Sequence, residues 1–283
     1  MSKLGFSIRL FVVDGVPDGL RLVEKSNWVG RGVICPRSVF ADSKCRREFD
    51  KTGVYILTGP SEIPDTATVY IGEGDPAKPR LESHFAKKDF WTSLILFVSK
   101  DDNLNKAHVQ YLEARLIQLA KEANRSILDN GNTPQEPSLS EQDVADAEGF
   151  LSEMLLIFPV IGVNAFEQPA VKVRATTTLA MRAKDLVAEG YEVPQGFLVM
   201  KGSEAPNEHV PSTPPFVVDL RRSLIERRVL VPEGKFLVLS QDYVFDSPST
   251  AAAVMLARNA NGRIEWRDAE GRTLRELQSG TKE

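Results

Sequence analysis

Two glycine-flanked tyrosines, in Gly53-Val54-Tyr55 and Tyr70-Ile71-Gly72, are the first residues whose type and spacing could do chemistry. A phenol carries a proton that it can share and a ring that can pack. The runs that hold them are β-branched and aromatic. They flank a polar stretch, Gly59-Pro60-Ser61-Glu62-Ile63-Pro64-Asp65, and so read as a hairpin. A symmetric hairpin turning between Glu62 and Ile63 sets Tyr55 opposite Tyr70 on one face. The same placement suits an aromatic pair in a core, and the pair alone does not choose between the two.

Arg80 and His84 follow, four residues apart in a predicted helix, so they share a face. A guanidinium matches a phosphate and an imidazole can hold a proton; the plain alternative is a solvated helix face. The chain has three histidines, and His108 and His209 read as ordinary surface residues. Glu113 sits among Val109, Leu116 and Ile117 at helical spacing. A lone carboxylate in an apolar stripe is costly to bury without a partner, and a hard cation such as Mg²⁺ is one such partner. Equally, the carboxylate could stand at the edge of the stripe and reach water or Arg80. Gly72-Glu73-Gly74 is too short, and lacks the lysine, for a phosphate-cradling loop.

The elements that must position these groups can be read from periodicity and turn chemistry. Residues 1–47 form a β-rich lead-in, with strands suggested at Ile8-Arg9-Leu10-Phe11-Val12-Val13, Trp28-Val29-Gly30 and Gly32-Val33-Ile34. After the tyrosine hairpin, Asp75-Pro76 opens a helix to about Lys87, with Asp75 as its cap and a second proline at Pro79. Residues 94–98 make a third strand. Asn105 caps a helix to about Asn124, whose stripe is Val109, Leu112, Leu116, Leu119 and Ala123. Residues 129–138 read as a linker, and Ser140 with Asp143 opens a helix to about Phe158.

Beyond Phe166 the pattern predicts a strand at Val171-Lys172-Val173, a helix over 179–189, a strand over 196–200, a helix over 216–228 and a strand over 236–239. An alanine-rich helix follows from Ser247-Pro248 to about Asn259, and Ile264-Glu265-Trp266 leads into a turn at Glu270-Gly271. The fold class is α+β, a small mixed sheet flanked by helices followed by a second α+β domain. The expected organisation is a lead-in (1–47), a catalytic-type domain (48–135), a helical connector (136–165) and a C-terminal domain (166–283).

The 283 residues are 42% hydrophobic and 26% charged, with a net charge of -4. Such a chain does not hold nucleic acid by bulk charge, so any contact must come from a local basic patch. Candidates are Lys44, Arg46 and Arg47, and a cluster of Arg221, Arg222, Arg227 and Arg228 on the 216–228 helix; a charged helix face can also be simply solvated. Two cysteines, Cys35 and Cys45, offer no paired zinc spacing, leave one disulfide open, and suit a reducing, cytoplasmic setting. The apolar run over 4–13 is broken by Arg9 and is too short to span a membrane.

In order and spacing these residues resemble the GIY-YIG nuclease family. Gly53-Val54-Tyr55 and Tyr70-Ile71-Gly72 match its two strands, Arg80 lies eight residues past Gly72, His84 one helical turn later, and Glu113 on the following helix. The resemblance covers roughly residues 50–133 and implies a metal-dependent endonuclease that hydrolyses DNA phosphodiester bonds. It implies that Glu113 holds Mg²⁺ (or Mn²⁺), that Arg80 engages the phosphate, and that Tyr55, or else Tyr70, helps deprotonate the attacking water. A free tyrosine, with a pKa near 10, needs the metal, Arg80 and His84 to lower that value or share the proton. The family's asparagine falls on Asn130, with Asn132 behind it. Glu73 departs from the family, which often carries a Lys or Arg there.

The tail resembles a C-terminal domain of unknown function that often follows such nucleases. The resemblance is carried by Gly196-Phe197-Leu198-Val199-Met200-Lys201-Gly202-Ser203, Gln241-Asp242-Tyr243-Val244-Phe245-Asp246-Ser247-Pro248-Ser249 and Asn261-Gly262-Arg263-Ile264-Glu265-Trp266. Two other functions stay open. One is a non-catalytic nucleic-acid-binding or regulatory protein. The other is a protein-interaction module in the C-terminal half, with the nuclease as its effector.

Overall fold

The computed structural model describes residues 5–63, 66–132, 134–167, 177–183 and 185–280. The strand expected at Val171-Lys172-Val173 lies outside the described residues. Two compact units emerge, the first built from the chain up to Ser61 and from Thr66–Glu167, the second chiefly from residues beyond Glu167. Both are α+β.

The first unit is one seven-stranded sheet. Its strands are β1 (Ile8–Val12), β2 (Arg21–Lys25), β3 (Gly30–Pro36), β4 (Gly53–Pro60), β5 (Ala67–Gly74), β6 (Ser93–Ser99) and β7 (Ser126–Leu128), in the order β1-β2-β3-β6-β4-β5-β7. Every pairing is antiparallel except β5 with β7. The helices are α1 (Arg37–Ser43), α2 (Lys78–Lys87), α3 (Lys106–Ala123) and α4 (Glu141–Ile157). Val54, Ile56, Val69 and Ile71 point to one face and pack with residues of α3 and α4. Tyr55, Leu57, Leu94 and Leu96 point to the other and pack with Phe40 of α1 and Leu81 of α2. A sheet covered on both faces buries both phases of its alternation, which is why Val54, Tyr55, Ile56 and Leu57 are all buried in one run.

This corrects the expected domain boundaries. The lead-in is not separate: β3 pairs along its length with β6, from Gly30↔Ser99 to Pro36↔Ser93. The expected connector is part of the same core, because Ala147, Phe150, Leu151 and Met154 of α4 pack in one cluster with Ile56 and Phe97. Without β3, the apolar strand β6 would show a bare edge. Without α4, Phe97 would lose the cover of that face; a buried side chain of this size contributes roughly 1.5–3 kcal/mol.

Register and caps sharpen other expectations. The hairpin pairs Tyr55 with Gly72 and Leu57 with Tyr70, two residues away from the symmetric register. A shift of two keeps both tyrosines on one face. Its cause is steric: a Cβ at Gly72 would lie 2.5 Å from Tyr55 Oη, so the ring needs glycine opposite it. Asp75 does not cap α2; it accepts from Thr52 Oγ1 at 2.6 Å. The helix starts at Lys78 with Pro79 in its first turn, and the carbonyls of Lys51 and Phe49 take the N–H groups of Ala77 and Lys78. Asn105 caps α3 as expected, with His108 as its reciprocal partner. His108 is therefore not an idle surface residue. Ser140 caps α4. Cys35 is buried and Cys45 exposed, and both are free thiols.

In the second unit, β8 (Leu179–Ala183), β9 (Leu186–Val193), β10 (Gly196–Val199) and β14 (Tyr243–Phe245) form a four-stranded sheet in the order β14-β10-β9-β8. A second sheet, in the order β11-β13-β12, is made of β11 (Glu204–Pro206), β12 (Leu230–Glu233) and β13 (Phe236–Leu239). Helices α5 (Pro215–Glu226), α6 (Pro248–Leu256), α7 (Gly262–Glu265) and α8 (Leu274–Gly280) complete it. The helix expected over 179–189 is instead the β8–β9 hairpin, paired Leu179↔Gly190 to Ala183↔Leu186. Its residues favour helix locally, but Leu179, Met181 and Ala188 supply a period-two buried face to the core, and packing overrides propensity.

Candidate active site

The open end of β5 collects the residues singled out by the sequence. Strand β7 pairs only with residues Ala67 to Val69 of β5. Just past that pairing, the side-chain amide of Asn130 takes over: Ile71 N–H donates to Oδ1 at 3.0 Å and Nδ2 donates to Ile71 O at 2.8 Å. Asn130 thus acts as a one-residue strand that fixes Ile71 between Tyr70 and Gly72. Its amide is spent on the backbone, so it supports the site and does not reach into it. Asn132 is exposed. On the other strand, a Cβ at Gly53 would lie 2.6 Å from Phe97 O, so glycine lets β4 lie close on β6.

Tyr55 on β4 has no exposed surface. Its ring lies 6.4 Å from that of Tyr70 and 5.8 Å from that of His84 on α2, and the rings of Tyr70 and His84 are 4.7 Å apart. The phenolic oxygen of Tyr55 is 2.9 Å from His84 Nε2. Arg80, one turn earlier on α2, is close enough for its positive charge to act on the Tyr55 phenol. With the imidazole proton on Nδ1, Nε2 accepts from the Tyr55 O–H.

Electrostatics fix the protonation states. Burial, with Tyr70 beside it, pushes the Tyr55 phenol above the ordinary tyrosine range, against the pull of Arg80. Tyr70 is raised too, first by burial. His84 is pushed down to about 4 by burial and by the positive charges of Arg80 and Lys88. Near neutral pH both phenols keep their protons and the imidazole is neutral. Arg80 by itself does not lower the Tyr55 phenol, because desolvation outweighs it.

Glu113 reaches the same place from α3, half-buried among buried Val109, Leu112, Leu116 and Ile117. Burial and then Glu73 push its carboxyl up to about 7, with Arg80 and Lys106 opposing. Glu73 is held by Lys106 at 2.6 Å from both its oxygens. Lys106 thus returns a positive charge close to where the sequence lacks one. No group of three or more His, Cys, Asp or Glu able to hold a metal occurs among the described residues. The donors fit a hard ion of the Mg²⁺ kind, which takes one or two carboxylates and completes its shell with water and substrate oxygens, and do not fit zinc. A cation there would also relieve the cost of burying Glu113 beside Glu73.

Sequence reasoning missed Lys88, whose ammonium lies 4.5 Å above the Tyr70 ring and 2.5 Å from Asp129 Oδ2. Its signal was present: Arg80 and His84 on α2 and Lys88 at its C-cap recur every four residues. Lys106 left no such signal. Among the expected DNA contacts, Lys44 pairs with Glu82 at 2.8 Å and Arg46 with Glu48 at 3.2 Å. Arg47 is exposed.

Arg221 is only 4% exposed and donates to the carbonyls of Val254 and Pro206, so it is not available to a phosphate. Burial lowers its pKa to about 10. Arg222 is exposed and 3.2 Å from Asp219, while Arg227 donates to Tyr243 Oη at 3.2 Å. The arginine cluster of α5 is therefore split between the inside and the outside of its unit.

Residues 179–278 match the family described as a domain of unknown function (DUF4357). The match runs from the start of β8 into α8, and it agrees with the resemblance read in the tail. No curated protein and no solved structure matches the chain. Among the described residues, no helix is long and apolar enough to cross a membrane.

Proposed function

We propose that the first unit is a metal-dependent endonuclease of the GIY-YIG type that hydrolyses phosphodiester bonds in DNA. One observation carries the reading. Tyr55, Tyr70, Arg80, His84 and Glu113 come from four separate elements and up to 58 residues of chain, yet their charges and rings couple at one sheet edge. A fold needing only an aromatic core pair would not bring an arginine, a neutral imidazole and a half-buried carboxylate to the same phenol.

In this reading Glu113 holds Mg²⁺ or Mn²⁺, with Glu73 as the nearby second carboxylate. When bound, the ion supplies neutralisation of charge on the phosphate and on the leaving oxygen. Arg80, whose charge acts on the Tyr55 phenol, engages the phosphate, for which its planar fork is suited. His84 is the proton acceptor: in concert with the forming O–P bond, which acidifies the attacking water and so overcomes the two opposing shifts, Tyr55 takes the water's proton while passing its phenolic proton to Nε2, and the imidazole ends protonated. Such proton transfer is worth roughly 10²–10⁴ in rate. Tyr70, stiffened by Lys88 above and Asn130 beside it, walls the site.

Plasmid nicking in Mg²⁺ tests the assignment. Wild type should nick and Glu113→Ala should lose at least about a hundredfold, since charge neutralisation is worth several kcal/mol. Equal rates would sink it.

A further inference from the structure

Two adjoining grooves open at the end of the sheet where β3, β4 and β6 have their Gly30, Gly53 and Ser99 termini. One, of about 400 Å³, is lined by Arg9, Lys25 and Lys100 together with Glu24. The other, of about 140 Å³, is lined by Arg31, Arg47, Lys51 and Lys100 together with Glu48. Lys100 belongs to both. Six cations against two carboxylates line this surface, on a chain whose net charge is -4. Arg31 is locked between Glu24 and Glu48, Lys25 on Glu153 and Lys51 on Asp102. Arg9 and Arg47 are exposed, and Lys100 has only a loose contact with Glu24 at 3.8 Å.

We propose that this groove binds the phosphate backbone of DNA alongside the candidate active site. The proposal rests on the endonuclease reading for its choice of polyanion. Strand pairing places the groove on the same end of the sheet as the site: Gly53 pairs with both Val98 and Gly74, Gly30 pairs with Ser99, and Lys100 N–H donates to Val29 O at 2.9 Å. Lys100, at the end of β6, stands two strand spacings from β5, or about 10 Å, and Arg9 on β1 three further, or about 14 Å. The roughly 14 Å from Lys100 to Arg9 covers about four phosphates of one strand of a duplex. The structural ion pairs hold the walls, and Arg9, Arg47 and Lys100 supply the mobile charge. All the residues that carry this surface, except Lys100, precede the stretch that resembles the nuclease family or lie at its edge, so the surface is supplied mainly by the segment before that stretch.

The test is binding of a labelled DNA duplex to the full chain in EDTA, where nothing is cut, as a function of salt. R9A/R47A/K100A should flatten the dependence of log K on log salt by roughly two to three units, at 0.9 per lost phosphate contact. K201A/K235A/R263A, which removes as many exposed cations from the second unit, should leave the slope alone. An unchanged slope in the first variant, or a wild type that does not bind the duplex, overturns the proposal. A wild type that binds with the expected slope change but never nicks with Mg²⁺ would leave the groove standing and remove the endonuclease reading. Matching melting curves for the two triple variants exclude misfolding as the cause.

Discussion

The phenolic oxygen of Tyr55 lies 2.9 Å from Nε2 of His84, in a place where the phenol is raised and the imidazole lowered to about 4. Both shifts hold the proton on oxygen in the resting site, and only the forming O–P bond, by acidifying the attacking water, can drive transfer through the phenol to nitrogen. Tyr55→Phe keeps the ring and its packing but removes the relay. We expect the single-turnover nicking rate to fall by about 10²–10⁴ with duplex affinity unchanged. Because His84 charges only near 4, the wild-type rate should show no loss from imidazole protonation between pH 6 and 8. A Tyr55→Phe enzyme at wild-type rate would remove the relay.

Glu113 makes a prediction about stability as well as metal. Folded, it keeps its proton up to about pH 7; unfolded, only to the usual carboxylate range. The folded state thus binds more protons within that window, and stability falls as pH rises through it. Glu113→Gln should stabilise the folded state at pH 8 by on the order of 2 kcal/mol, read as a higher melting temperature, and change little at pH 4. Proton and cation compete for the same oxygens, so Mg²⁺ affinity measured calorimetrically should weaken as pH drops below about 7. No stabilisation at pH 8 would count against the buried carboxylate.

Gly72→Ala places a methyl 2.5 Å from the Tyr55 oxygen. Overpacking of this kind costs about 1–3 kcal/mol, and the displaced ring must also leave His84. The melt should drop by that amount, and nicking should fall further than the lost stability explains. Nicking and melting both at wild-type values would contradict the register.

Arg221→Met should destabilise the second unit by about 1–3 kcal/mol, because two carbonyls lose their donors in a buried place. The salt slope of duplex binding should not move. A changed slope would put Arg221 back among the DNA contacts.

Much of the site was legible from spacing alone. Tyr55, Tyr70, Arg80, His84 and Glu113 have types that chemistry needs, and α3 announced both its ends through Asn105 and Asn124. What stayed hidden depends on shape at a distance. The hairpin register follows from the room Tyr55 needs over Gly72, not from loop symmetry. The resemblance marks Asn130, but its task on the backbone of Ile71 shows only once β7 brings the two together. The β8–β9 hairpin is written in helix-forming residues, and only the core it faces makes it β. Arg221 looks like its exposed neighbour Arg222 until Val254 and Pro206 close over it.

The continuity of β3 with β6 bears on how the protein can be cut. A fragment trimmed to residues 48–135, the span suggested by the family resemblance, would strip β3 from Ser93–Ser99 and leave Leu94-Ile95-Leu96-Phe97-Val98 with a bare row of backbone donors and acceptors. An unpaired apolar edge of that length is a template for self-association. Such a truncation should be recovered as aggregates, whereas a fragment ending at Glu167 and retaining β1–β3 should remain monodisperse on a sizing column.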